Sequence, residues 1–124
     1  YGRLPLMITE NCLVQNETGC RLDRQGPCVP EDGPCRCGRS NVLVDRTGAA
    51  FPLLPAYGHR TEIQNSRPLY LADRPEHRRL GLAYARLRFT TETAEECVSV
   101  VQNYLDAAPA AGDFTRGLYE RGVE

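Results

Sequence analysis

The sequence predicts a small α/β or α+β fold: short strands with a β-hairpin, one main C-terminal helix and a loop-rich cysteine knuckle. Three observations carry this reading. Residues 83–90, AYARLRFT, alternate apolar and polar side chains, as a strand with one buried face does. Thr93 and Glu96 are spaced as a capping box ahead of a run whose apolar residues recur with a helical period. Five of the six cysteines fall between Cys12 and Cys37, among Gly, Pro, Asp, Glu and Arg.

In chain order, 1–11 is the first strand. Its centre, Leu4 to Thr9, is an apolar run that reads as buried. Residues 12–41 form the knuckle, where glycines and prolines such as Gly19, Gly26, Pro27 and Pro34 mark successive turns. Residues 42–72 supply a hairpin and a strand. Val42 to Val44 and Ala49 to Leu54 flank Asp45-Arg46-Thr47-Gly48, whose Asp and Gly suit a type I turn closed by a left-handed glycine. Pro52 and Pro55 confine the second hairpin strand to a sheet edge or end it early, because proline cannot donate to a ladder. Tyr57 to Ser66 is polar and holds His59, and Pro68 to Ala72 is a further short strand. Asp73 caps a single helical turn that has Pro75 near its start. Residues 83–108 give the alternating strand and then the main helix. The helix stripe is Ala94, Cys97, Val98, Val101, Tyr104, Leu105 and Ala108. The tail DFTRGLYERGVE has no clear conformation in sequence.

At 124 residues, 41% hydrophobic and 25% charged, the chain has an ordinary globular composition, enough for a single domain. It opens on Tyr1 and runs at once into a strand, so it reads as a single domain or as a fragment of a longer protein. A net charge of -1 does not indicate a strongly nucleic-acid-binding or membrane-surface protein, and no apolar run is long enough to span a membrane. All fifteen basic residues are Arg.

The cysteine segment has too little apolar area to order itself by burial, so a metal or disulfides must fix it. Its spacing is C-x7-C-x7-C-x6-C-x-C. Cys35 and Cys37, one residue apart, suit two ligands of one centre better than a mutual disulfide. This favours a reducing, cytoplasmic compartment and a metal. Thiolates in a tetrahedron hold zinc, and four of them can hold an iron–sulfur cluster. The candidate ligands are Cys12, Cys20, Cys35 and Cys37, with Cys28 and His59 as alternates. Cys97, on the helix stripe, reads as a small buried hydrophobe. No Ser/His/Asp order, phosphate-binding glycine loop or helical His-Glu-x-x-His pattern is visible, so the sequence names no catalytic residue.

The order YGRLPLMITENC, LVDRTGAAFPLL, NSRPLYLADR, RLRFTTETAEE and FTRGLYERGVE resembles the collagenase-like peptidase family, family thirty-two of those with unknown catalytic type. The resemblance runs from Tyr1 to Glu124 and implies a cysteine-containing part that follows most of a TIM-like barrel in a longer protein. It implies a hydrolase acting on peptides, with the missing N-terminal barrel part as a partner. Relatives that bind a four-iron, four-sulfur (4Fe-4S) cluster imply a second role, in oxygen-independent hydroxylation of RNA bases or ubiquinone precursors. By position, Cys12 and Cys20 match the first ligand pair, and Cys37 or Cys35 the third. Where those relatives carry a fourth cysteine this chain has Tyr70 or Pro55, so the fourth ligand falls to Cys28, Cys35 or His59, and the expected metal is zinc or the 4Fe-4S cluster. A third reading is a non-catalytic metal knuckle that binds a partner.

Overall fold

A computed structural model describes residues 1–18, 40–74 and 76–119, without the side chains at 16, 18, 77 and 78. Most of the expected knuckle therefore lies outside the described residues, as do Cys20, Cys28, Cys35 and Cys37. Among the described residues the elements are β1 (Gly2–Thr9), α1 (Gln15–Thr18), β2 (Asn41–Val44), β3 (Ala50–Ala56), β4 (Arg60–Leu69), α2 (Glu76–Arg79) and α3 (Ala94–Asp106). The four strands make an antiparallel sheet of order β1-β4-β3-β2, so the fold is α+β. Among the described residues no helix is long and apolar enough to cross a membrane. The chain divides into two compact units, 5–66 and 1–4 with 67–124.

In the unit 5–66 the hairpin forms as the sequence predicts. Val44 pairs with Ala50, Gly48 donates to the Asp45 carbonyl at 3.0 Å, and Gly48 takes φ 85°. Asp45 Oδ1 accepts from Thr47 N (2.7 Å), Thr47 Oγ1 (2.7 Å) and Ala49 N (3.0 Å), which ties the turn to itself. The Thr47 hydroxyl, and then the Ala49 N–H, hold the Asp45 carboxyl below its usual range. This stabilisation is complete above the unfolded carboxyl pKa of about 4 and is lost as pH falls through the folded value. Asp45→Ala is accordingly expected to lower the thermal midpoint at neutral pH, with the gap closing in acid. A gap of undiminished size in acid would remove the carboxylate from the explanation.

The prolines do not put β3 at an edge; it lies between β2 and β4. The register explains how. The closing bond from Asp45 N to Ala49 O makes 45/49 a hydrogen-bonded pair, so the odd residues of β3 bond toward β2 and the even ones toward β4. The Pro52 nitrogen therefore faces β4 one residue before that pairing begins at Leu53. The Pro55 nitrogen faces β2 two residues past its last pair, Asn41 with Leu53. Neither proline removes a ladder bond.

β4 is ten residues long and takes in most of the polar segment around His59 as well as Pro68 and Leu69. Polar residues hide this strand: Thr61 and Gln64 are buried, Gln64 completely. Thr61 N donates to Thr9 Oγ1 (3.2 Å), and its hydroxyl accepts from Leu13 N (3.0 Å). Val14 and Leu53 form the apolar core of this unit, with Cys12 and Ile63 packed against them. β1 is not the buried strand its composition suggests. It is an edge strand, and Leu4 through Ile8 are exposed on both faces.

In the other unit, residues 83–90 are extended but form no strand. Alternation needs a neighbouring strand to become a ladder, and this segment instead bonds to Tyr1, where Arg88 N donates to the carbonyl at 2.9 Å, and to Glu92, whose Oε2 accepts from Thr90 N at 2.7 Å. α3 begins with the expected capping box, Thr93 N to Glu96 Oε2 (2.7 Å) and Glu96 N to Thr93 Oγ1 (3.3 Å). It ends at Ala107 in the left-handed conformation (φ 53°). Within the apolar stripe Tyr104 packs against Tyr1 and Tyr70, but much of the rest is exposed. Val98 and Leu105 are each 70% exposed, and no residue of α3 is fully buried. The short α2 follows Asp73, but the Asp73 carboxylate is engaged by Arg116 at 2.6 and 2.7 Å. Arg116 belongs to the tail, which is tied in by Thr115 N to Pro68 O (2.9 Å) and Tyr70 N to Thr115 O (3.1 Å).

Candidate functional site

Cys12 lies just past the end of β1. Gln15 N donates to its carbonyl at 3.2 Å, and Leu13 N donates to the buried Thr61 hydroxyl, so the sheet fixes both sides of the cysteine. The side chain is half-buried, and its thiol is free. His59 closes the turn between β3 and β4 with φ 56°, a left-handed conformation that a non-glycine residue adopts only at some cost. Its Nε2 is buried and has no hydrogen-bond partner among the described residues. The Glu10–Arg60 ion pair (3.0 Å) and the Thr9–Thr61 bonds hold the start of β4 against the end of β1, so Cys12 and His59 stand at the same end of the sheet.

Among the described residues no three His, Cys, Asp or Glu side chains form a metal-binding group. A thiol and an unpartnered imidazole nitrogen are donors that suit zinc or another borderline ion. Tyr70 and Pro55, at the positions where cluster-binding relatives carry cysteine, supply no ligand. Tyr70 is buried and its hydroxyl donates to the Ala108 carbonyl at 2.9 Å, while Pro55 is an exposed residue near the end of β3. Cys97 is half-buried on α3, a free thiol in the unit that does not contain Cys12.

Comparisons with known families, curated proteins and solved structures find no match. The functional reading therefore stands on the residues themselves.

The unit formed by 1–4 and 67–124 contains a cavity of about 430 Å³ that the sequence reading does not anticipate. Five aromatic rings run through this unit in a file. Phe89 meets Tyr1 at 5.6 Å, Tyr1 meets Tyr104 at 6.4 Å, Tyr104 meets Tyr70 at 5.4 Å and Tyr70 meets Phe114 at 6.1 Å between centroids. Tyr1, Tyr70 and Phe114 wall the cavity. Glu92, Glu96 and Asp113 bring carboxylates to it, and Arg3 a guanidinium. Glu92 is fixed on both oxygens: Oε2 accepts from Thr90 N (2.7 Å) and Thr91 N (3.0 Å), and Oε1 from the Tyr1 hydroxyl (3.0 Å). Burial pushes the Glu92 carboxyl up, but these donors outweigh it and hold the group below its usual range. The same contact works the other way on Tyr1, whose phenol is raised by burial and then by Glu92.

α3 meets the cavity through Glu96, Ser99, Val100 and Asn103. Glu92, Glu96, Ser99 and Asn103 recur at a spacing as helical as that of the apolar stripe. That polar row was the available signal in the sequence, and the apolar stripe drew attention away from it.

Proposed function

We propose that this chain is a metal-holding part of a collagenase-like peptidase, the C-terminal part of the peptidase region in a longer barrel-containing protein. The observation that carries the metal is Cys12, a half-buried free thiol set directly past a sheet strand with the unpartnered Nε2 of His59 at the same end. The peptidase assignment rests on the resemblance of the motifs from Tyr1 to Glu124. β1 agrees with a longer barrel, because apolar residues exposed on both faces are what a strand shows when its neighbours lie elsewhere in the protein. Cys12, with Cys20, Cys35 and Cys37 and with His59 or Cys28 as the alternate, would hold the ion. The ion would order the polar segment that follows Cys12, which has too few apolar side chains to order itself. Tyr70 and Pro55 favour a mixed Cys/His zinc site over the 4Fe-4S cluster of the hydroxylase reading.

Elemental analysis and an absorption spectrum on protein purified without oxygen test this. Zinc near one per chain is expected, lost in Cys12→Ser and kept in Cys97→Ser. Iron with inorganic sulfide and a broad visible band would move the assignment to the hydroxylase. Metal retained in both Cys12→Ser and Cys37→Ser would remove the cysteine site altogether.

A further inference from the structure

We propose that the aromatic-walled cavity of the unit 1–4 with 67–124 binds a guanidinium group carried on an aliphatic stem. α3 turns Tyr104 of its apolar stripe inward but leaves Val98 and Leu105 outside. An amphipathic helix that packs only for stability turns its apolar stripe inward. Here Val98 and Leu105 face solvent, while Glu96, Ser99 and Asn103 line a cavity of about 430 Å³. That volume lies within the range of small-ligand pockets, roughly 300–1,000 Å³. Glu96 also closes the capping box of α3, but Ser99 and Asn103 present further polar side chains to the cavity, where they can meet a polar guest.

The charge and shape of the walls select the guest. Glu92, Glu96 and Asp113 line the cavity with one guanidinium, Arg3; Asp113 is already paired with Arg67, which leaves two carboxylates, Glu92 and Glu96, against Arg3. A bare divalent cation needs several free carboxylate oxygens. Glu92 cannot supply them, because its oxygens already accept two backbone N–H groups and the Tyr1 hydroxyl. A guanidinium needs less from each acceptor. It spreads five N–H donors over a flat fork, matches single remaining lone pairs on several groups, and lays its face on aromatic rings. Tyr1, Tyr70 and Phe114 provide such rings, and the Ser99 hydroxyl and Asn103 side-chain carbonyl provide further acceptors. The same unit already uses this chemistry once: the Arg116 guanidinium forks onto Asp73 and lies 4.6 Å from the Phe114 ring centroid. Burial favours an aliphatic stem, which Val100 and Pro68 can cover. This site is independent of the proposed metal.

The test is an amide NMR titration of the full chain. Agmatine represents a free guanidine, N-acetyl-arginine methylamide a peptide-borne one, and N-acetyl-citrulline methylamide is the neutral isostere of the latter. Saturable shifts at residues 92, 96, 99, 103 and 114 are expected with at least one guanidinium probe, and binding about tenfold or more weaker with citrulline. Preference for agmatine would mark a free ligand, and preference for the arginine amide a peptide. Glu96→Gln with Asp113→Asn should weaken binding about tenfold or more. Gln at 96 retains the acceptor of the capping box, and Asp113 lies outside α3, paired with Arg67 on an exposed surface (2.9 Å), so the helix should survive. Equal binding of the citrulline isostere, shifts confined to other residues, or no saturation would each overturn the proposal, whatever the variants do.

Discussion

Gly2→Ala is expected to destabilise the protein by about 3 kcal/mol and to lower its thermal midpoint by roughly 10 °C. Two costs combine. Gly2 has φ 137°, a conformation that L side chains rarely adopt. A Cβ there would also stand 2.6 Å from the Arg88 carbonyl oxygen and 2.9 Å from the Arg88 Cβ. These are backbone and inner side-chain atoms, so no flexible tip can swing aside. Relief requires the 83–90 segment to move off, which breaks the bond from Arg88 N to the Tyr1 carbonyl. Tyr1 is a cavity wall, so the same variant should weaken binding of a guanidinium probe. Gly112→Ala is the control: Gly112 has φ 78° but nothing within 4 Å of the added methyl, so only the backbone cost of about 1 kcal/mol applies. Thermal melts followed by far-ultraviolet circular dichroism compare the two. Equal losses in both variants would show that the contact with Arg88 carries no weight.

Arg116→Ala should cost about 2–3 kcal/mol. The guanidinium donates to Asp73 Oδ1 (2.6 Å), Asp73 Oδ2 (2.7 Å) and the Tyr70 carbonyl (2.6 Å), and lies over Phe114. The side chains of Arg116 and Asp73 are 17% and 24% exposed, so truncation leaves a largely desolvated carboxylate without its fork. The remaining solvent access keeps the cost below that of a fully interior pair. Arg116→Lys should recover only part of the loss, since a single ammonium cannot occupy both oxygens. The pH dependence has a definite sign. Hydrogen bonding from Arg116 depresses the Asp73 carboxyl, so the pair stabilises fully above the unfolded value of about 4 and progressively less as pH falls through the folded one. Urea titrations of the parent and Arg116→Ala proteins should therefore converge in acid. Parallel curves at all pH values would assign the loss to packing rather than to the ion pair.

The parts of the fold legible in sequence are those set by neighbours along the chain. The Asp45–Gly48 turn and the Thr93–Glu96 box depend on residues three apart, and both form as expected. What sequence misjudged depends on distant partners. Residues 83–90 alternate convincingly yet, among the described residues, form no ladder with a neighbouring strand, so they stay outside the sheet. Residues 60–66 look like a loop because Thr61 and Gln64 are polar. Yet Thr61 is buried against Thr9 and Leu13, and β4 runs straight through. The prolines of β3 misled because their effect depends on which way each missing N–H would have pointed. At the candidate sites the contrast is the same. Cys12 was readable as a ligand candidate from its place after a strand. The cavity was not, because Tyr1, Tyr70, Glu92 and Phe114 meet only through the fold.

The file of rings also divides the protein optically. With no tryptophan, near-ultraviolet absorption and emission come chiefly from six tyrosines. Tyr1, Tyr70 and Tyr104 meet edge-on in one asymmetric array, whereas Tyr57 and Tyr84 are 96% and 92% exposed. Tyr57 is the lone tyrosine of the unit 5–66. The chiral aromatic signal therefore arises from the cavity unit, and the sheet end that carries Cys12 and His59 is nearly silent to it. A chromophore placed at position 57 would give that end a voice of its own.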